Sequence, residues 1–224
     1  MEHIIVKRTS FVIKTLAKSR RILSMHSILI VFLLCGTTAK AQNSNLTKAF
    51  SESYILETKG DYTRSAETIK KIYSADSYIM NLRLGWLYYL AKNYKESVNY
   101  YNKAIVLLPL SIEAKLGYAY PAYALGNIEG VIKTYKEILK IDPVNYYGNY
   151  RLGFLYYERK DYQNAHNHFD KIINLYPFDY DAIIMSAWTY YRLGNYREAK
   201  VLFNKALLNR PGDSSALEGL GLIK

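Results

Sequence analysis

Small, bulky and turn-forming positions recur along this chain every 34 residues, 32 across a first unit that is two residues short, each class in its own column. Small residues stand at Ser53, Gly85, Ala119, Gly153, Ala187 and Gly221, where two helices can approach with almost no side chain between them. A second small or medium column runs Ser65, Ser97, Val131, Ala165 and Ala199. Four residues later comes a bulky one, Ile69, Tyr101, Tyr135, Phe169 and Phe203. The i, i+4 spacing puts these two columns on one helical face. Between the halves of each unit lies a turn: Gly60-Asp61-Tyr62, Lys92-Asn93-Tyr94, Gly126-Asn127-Ile128, Lys160-Asp161-Tyr162 and Gly194-Asn195-Tyr196. Gly, Asn and Asp tolerate the backbone that ends a helix, and the apolar residue restarts the next. Pro109, Pro143, Pro177 and Pro211 close successive units. The pattern predicts two antiparallel helices per unit, with Leu152, Tyr156, Ala165, Phe169 and Ile172 on the faces that meet in one of them.

Leu84-Gly85-x-x-Tyr88 recurs as Leu152-Gly153-x-x-Tyr156, and Ala165-x-x-x-Phe169 recurs as Ala199-x-x-x-Phe203, each followed by the closing proline. These motifs resemble the tetratricopeptide repeat family. The resemblance covers five repeats, 46–77, 78–111, 112–145, 146–179 and 180–213, and a partial cap at 214–224 that restarts the pattern in Leu220-Gly221. It implies an all-α, right-handed α-solenoid of about five antiparallel helix-turn-helix repeats plus a C-terminal capping helix, in a repeat domain over 42–224. The first repeat has Ser77 in place of proline and Glu52 where Leu84 or Leu152 would bury, as suits a terminal unit with one wet face. Burying each large side chain contributes about 1.5–3 kcal/mol, so one repeat cannot offset its own chain entropy and the stack is the folding unit. Pro121 lies inside the first helix of repeat 112–145, where it predicts a kink or short break at the carbonyl of Gly117.

Residues 1–41 stand outside the repeats. A basic stretch from Lys7 to Arg21 precedes a short apolar core, Ile28 to Cys35, and then Ala39-Lys40-Ala41. This is the layout of a secretory signal peptide cleaved after Ala41. The apolar run is about half of the ~20 residues that a spanning helix needs, so no permanent membrane span is expected. A start at Met25 would discard every Lys and Arg of the leader except Lys40, which favours Met1. Lipidation of Cys35 is disfavoured by the large Leu33 and Leu34 before it. Export would leave a mature chain without cysteine, in the periplasm or outer cell envelope.

Charge and chemistry narrow the function further. The formal +11 shrinks to +5 beyond the leader, 23 bases against 18 acids, and those bases are scattered singly, so no nucleic-acid partner is expected. His166 and His168 are two apart on a helix, about 200° around its axis, and cannot share a metal; both read as surface residues. No phosphate loop, nucleophile elbow or cofactor motif is present, which predicts no enzyme, no cofactor and no metal. Asp179 and Asp181 flank a repeat boundary, where carboxylates cap helices.

The aromatic residues carry the functional signal. One position past the small column run Tyr54, Trp86, Tyr120, Phe154 and Trp188, and three further on come Tyr89, Tyr123, Tyr157 and Tyr191. The two columns neighbour each other on the first helix of each pair, offset by about 100° from the small column. By resemblance to the family, they line the concave groove where partners dock; alternatively, they stack between repeats and thicken the core. Some family members hold an acidic chain terminus with Lys, Asn and Arg along this groove, and the aromatic line here argues against such a clamp. Trp86, Tyr89, Tyr120, Tyr123, Phe154, Tyr157, Trp188 and Tyr191 are thus the candidate partner-binding residues of a non-catalytic scaffold or adaptor of the bacterial envelope, for a protein or peptide segment. A carbohydrate- or peptidoglycan-binding module is the alternative. Cleavage of the leader predicts that N-terminal sequencing of protein recovered from the envelope begins at Gln42; a chain that keeps its leader contradicts it.

Overall fold

The computed structural model describes residues 44–223; the leader, its cleavage site after Ala41 and Cys35 lie outside the described residues. The described residues form eleven helices and no strand. They divide into two compact units, one ending at Ile72 and one starting at Tyr73.

The first unit holds α1, residues 44–58, and α2, Tyr62–Lys70. Gly60 turns the chain in the left-handed region, φ +75°, and Asp61 caps α2 by accepting from the backbone N–H of Arg64. The small columns meet here through a hydroxyl pair: Ser65 Oγ donates to the Ser53 carbonyl at 2.7 Å, and the two hydroxyls lie 2.8 Å apart. Ile69, from the bulky column, is fully buried.

The second unit is a run of helical hairpins. Its helices are α3 (Tyr78–Leu90), α4 (Tyr94–Leu107), α5 (Ile112–Ala124), α6 (Ile128–Ile141), α7 (Tyr146–Glu158), α8 (Tyr162–Leu175), α9 (Tyr180–Arg192), α10 (Tyr196–Asn209) and α11 (Ser214–Leu222). Each helix packs on the next along the chain, and α3 on α5, α7 on α9 and α9 on α11 make further contacts. Caps start the helices as the turn column predicts: Asn93, Asn127 and Asp161 accept from the N–H three residues on, as do Ser77, Ser111, Asn145, Asp179 and Asp213 at the repeat boundaries. Tyrosines at the first position of helices tie one repeat to the next. Tyr146 Oη donates to Asp179 at 3.2 Å and Tyr180 Oη to Asp213 at 2.6 Å, while Tyr78 Oη lies 2.7 Å from Ser111 Oγ.

The small and bulky columns meet as rings lodged in glycine notches. A β-carbon placed on Gly153 would stand 2.8 Å from the Phe169 ring, and one on Gly85 would stand 2.8 Å from the Tyr101 ring. The same Tyr101 ring also fills the space beside Gly117 of the following repeat, so it is clasped between α3 and α5. Phe203 likewise fills the notch at Gly219 in α11. Rings thus replace side chains at the closest approach, at interior packing density.

Three expectations require correction. Gly221 is not at a close approach: it is exposed, with open space where its β-carbon would be, because the ring filling such a notch comes from a second helix and none follows α11 among the described residues. Of the kink or short break expected at Pro121, the break does not occur: α5 is helical throughout Ile112–Ala124. Pro121 sits in the last turn of α5, buried beside Ala119 and Ala122, so packing holds the one turn whose hydrogen bond it lacks. His166 and His168 are half-buried rather than surface residues. His168 stacks on Tyr156, ring centroids 5.6 Å apart and 8° from parallel. Its Nδ1 lies 3.0 Å from Asn149 Oδ1, whose amide nitrogen already donates to the carbonyls of Pro143 and Asn145, so Nδ1 carries the proton.

Gly153→Val should drive a side chain into Phe169 and destabilise by about 1–3 kcal/mol, whereas Gly221→Ala, in the same column but facing open space, should be neutral or stabilising by up to about 1 kcal/mol. Equal melting shifts for the two variants would contradict the notch. Burial, with Lys171 and Lys136 adding to it, pushes His168 down to about 4. A depressed folded-state value means that protonation favours the unfolded chain, so the neutral ring's contribution is complete above about pH 6.5 and is lost as the pH falls toward 4. Denaturant titrations across that window should show the loss in the parent and a flatter profile in His168→Gln.

Candidate functional site

The aromatic columns lie on the first helix of each pair, beside the notch residues and turned away from them. None of the eight candidates is fully buried: Tyr123 is 52% exposed, Trp86 and Tyr120 are each 37% exposed, and the other five are half-buried. Seven of them gather in two clefts. Tyr89, Tyr120, Tyr123 and Phe154 line a cleft of about 360 Å³ between α3, α5 and α7. Tyr157, Trp188 and Tyr191 line another, of about 330 Å³, formed by α7, α9 and α11. Trp86 lies outside both, its ring 5.8 Å from that of Tyr89.

Exposure and ring stacking coexist. Tyr89 contacts Tyr120 of the next repeat at 5.8 Å, and the rings that begin the second helices support the line from behind: Tyr94 under Tyr89, Tyr162 under Tyr157 and Tyr196 under Tyr191, at 5.9, 5.4 and 5.5 Å. Such contacts fix ring orientation and so lower the entropy lost when a partner binds.

Three cleft residues escape the column reading. Tyr135, assigned to the buried face, also lines the first cleft, and burial raises its hydroxyl to about 12 against the opposing pull of Arg151. Arg151 and Arg192 supply a guanidinium to each cleft. Arg192 Nε donates to Tyr157 Oη at 3.5 Å. Arg151 has no hydrogen bond or ion pair among the described residues. A signal for Arg151 was available in the sequence. It stands 34 residues after Gly117 and 68 before Gly219, in the column where a glycine admits the preceding ring. An arginine there leaves the ring of Tyr135 facing a cleft. In the second cleft the same column supplies Met185, and Trp188 Nε1 is already engaged, donating to Ser215 Oγ at 2.8 Å.

Comparison with known proteins agrees with the repeat geometry. Tetratricopeptide repeat models match residues 50–112 and 156–221, together more than half of the chain. The chain belongs to the tetratricopeptide repeat family. This is a typically non-catalytic fold family. A TPR repeat-containing protein of Methanocaldococcus jannaschii is 32% identical over 80 residues, and the match covers 35% of this chain but 14% of that relative, so the chain spans about one-seventh of its length. Among solved structures, a tetratricopeptide repeat protein from Parabacteroides merdae is similar with a TM-score of 0.70 and 24% identity over 79% of this chain and 71% of that one. MamA gives 0.66 and 22% identity, covering 75% and 92%, and YrrB, described as a TPR protein with an unusual peptide-binding site, gives 0.65 and 15%, covering 78% and 91%. At these identities the likeness establishes the fold. Among the described residues, no helix is long and apolar enough to cross a membrane, and no group of three or more His, Cys, Asp or Glu is placed to hold a metal ion.

Proposed function

We propose that this chain is a non-catalytic protein-interaction scaffold of the bacterial cell envelope, which holds a segment of a partner protein against the aromatic line of its first helices. The observation that carries the reading is the cleft of about 360 Å³ in which five aromatic residues from three successive repeats converge, with Tyr123 52% exposed. Tyrosine and tryptophan present large, stiff, amphipathic surfaces, the side chains that dominate binding energy in most interfaces. The peptide-binding site ascribed to YrrB, a protein of the same fold, supports a peptide or protein ligand. The envelope assignment rests on the basic, apolar and Ala-x-Ala succession over residues 1–41.

A photoreactive amino acid replacing Tyr123 in intact cells should capture a partner polypeptide. The same group replacing Val106, which is 77% exposed on α4 and lines neither cleft, should not capture it. Capture of the same polypeptide with equal yield from both positions would reject the cleft as the binding surface.

A further inference from the structure

We infer that the cleft between α3, α5 and α7 takes a proline-rich segment in the polyproline II conformation, with an acidic residue beside the prolines facing Arg151. The inference rests on the scaffold reading and names the chemistry of its ligand.

Hydrogen-bonding capacity decides the occupant. Four phenol hydroxyls, from Tyr89, Tyr120, Tyr123 and Tyr135, and the guanidinium of Arg151 line the cleft, and everything else in its lining is Ala, Val, Leu or Phe. No carboxylate, amide or aliphatic hydroxyl lines it. Among the described residues, none of these five polar side chains has a hydrogen-bond partner. Arginine donates only, and the phenol oxygens, which are the sole side-chain acceptors, each also have a proton to place.

Such a lining discriminates among the forms a segment can take. A helical segment satisfies its own backbone, so it would cover these donors without offering backbone acceptors, at a cost in lost hydrogen bonds. An ordinary extended segment offers carbonyls but also brings an N–H with every residue, and the lining has no acceptor-only group to receive them. Proline has no N–H, and polyproline II leaves its carbonyls without internal partners. A proline-rich strand is therefore the backbone whose unpaired groups are nearly all acceptors, matching a wall whose proton-bearing groups are unpaired. Its pyrrolidine rings fit against aromatic faces, and its conformation is largely set before binding. The charge match completes the argument. Arg151 is the cleft's only charged group and has no ion pair among the described residues, and a carboxylate is the partner for a planar guanidinium.

Calorimetry on the full chain with three synthetic peptides tests this: decaproline, decaproline with one central aspartate, and a leucine-rich amphipathic helix. Decaproline should bind, the aspartate peptide should bind more tightly, and Arg151→Gln should bring the two to equal affinity. Tyr120→Phe and Tyr123→Phe, which keep the rings and remove only the hydroxyls, should each weaken decaproline by about 2- to 10-fold with the melting temperature unchanged. No binding of decaproline overturns the inference, as does hydroxyl removal without effect. If the helical peptide binds in its place and Tyr123→Ala abolishes that binding, the proline inference fails while the scaffold reading stands. If no peptide binds and the photoreactive group at position 123 captures nothing, both fail.

Discussion

The second unit depends on aromatic rings from three of its second helices, Tyr101 of α4, Phe169 of α8 and Phe203 of α10, each lodged in a notch where the facing helix carries a glycine. Tyr101 shows the arrangement most fully, because its ring occupies the space beside Gly85 of its own repeat and beside Gly117 of the next. A ring held on both sides couples the hairpin that owns it to the hairpin that follows. Packing energy in a repeat stack is shared in this way between intrinsic and nearest-neighbour terms, and a lone hairpin has only the first. The tyrosine hydroxyls that reach the next repeat's capping residue, Tyr146 to Asp179 and Tyr180 to Asp213, add a directional tie at the boundaries.

The aromatic clefts are a consequence of the same packing. With the notch residues turned toward the second helices, the neighbouring aromatic positions on each first helix have to face elsewhere, and successive repeats bring them side by side. The notch column then decides where a cleft opens. Gly117 covers Tyr101 closely, whereas Arg151 in the same column leaves Tyr135 lining a space shared with Tyr89 of the preceding repeat and Tyr120 and Tyr123 of its own. One substitution within an otherwise regular repeat thus supplies both a pocket and its charge.

Much of this was legible in the sequence. The period located every helix start in the second unit, because the Ser, Asn or Asp at each start is chosen by its own local chemistry, and all but Asn195 of α10 cap with the side chain. The inward columns were legible for the same reason: Leu152, Ala165 and Phe169 are all buried, as their spacing on a helix requires. Less was legible where tertiary packing overrules local preference. Pro121 sits in an uninterrupted helix, held by the buried residues around it, and Gly221 shares a column with Gly153 but lacks the ring that would fill its notch. His168 is drawn inward by Asn149 and Tyr156, partners twelve or more positions away in sequence that no helical period reveals. The aromatic candidates were found as columns, but their division into two clefts depends on Arg151 and Met185, which look irregular until the rings they face are placed.

The central claim is that rings lodged between first helices couple neighbouring repeats and thereby hold the aromatic surface together. Native-state hydrogen exchange on Tyr101→Ala tests it most directly, because this ring alone is seen to fill notches on two different first helices. The account predicts that amides of both α3 and α5 lose protection together, although only α4 carries the substitution. Loss confined to α4, with α3 and α5 protected as in the parent, would contradict it.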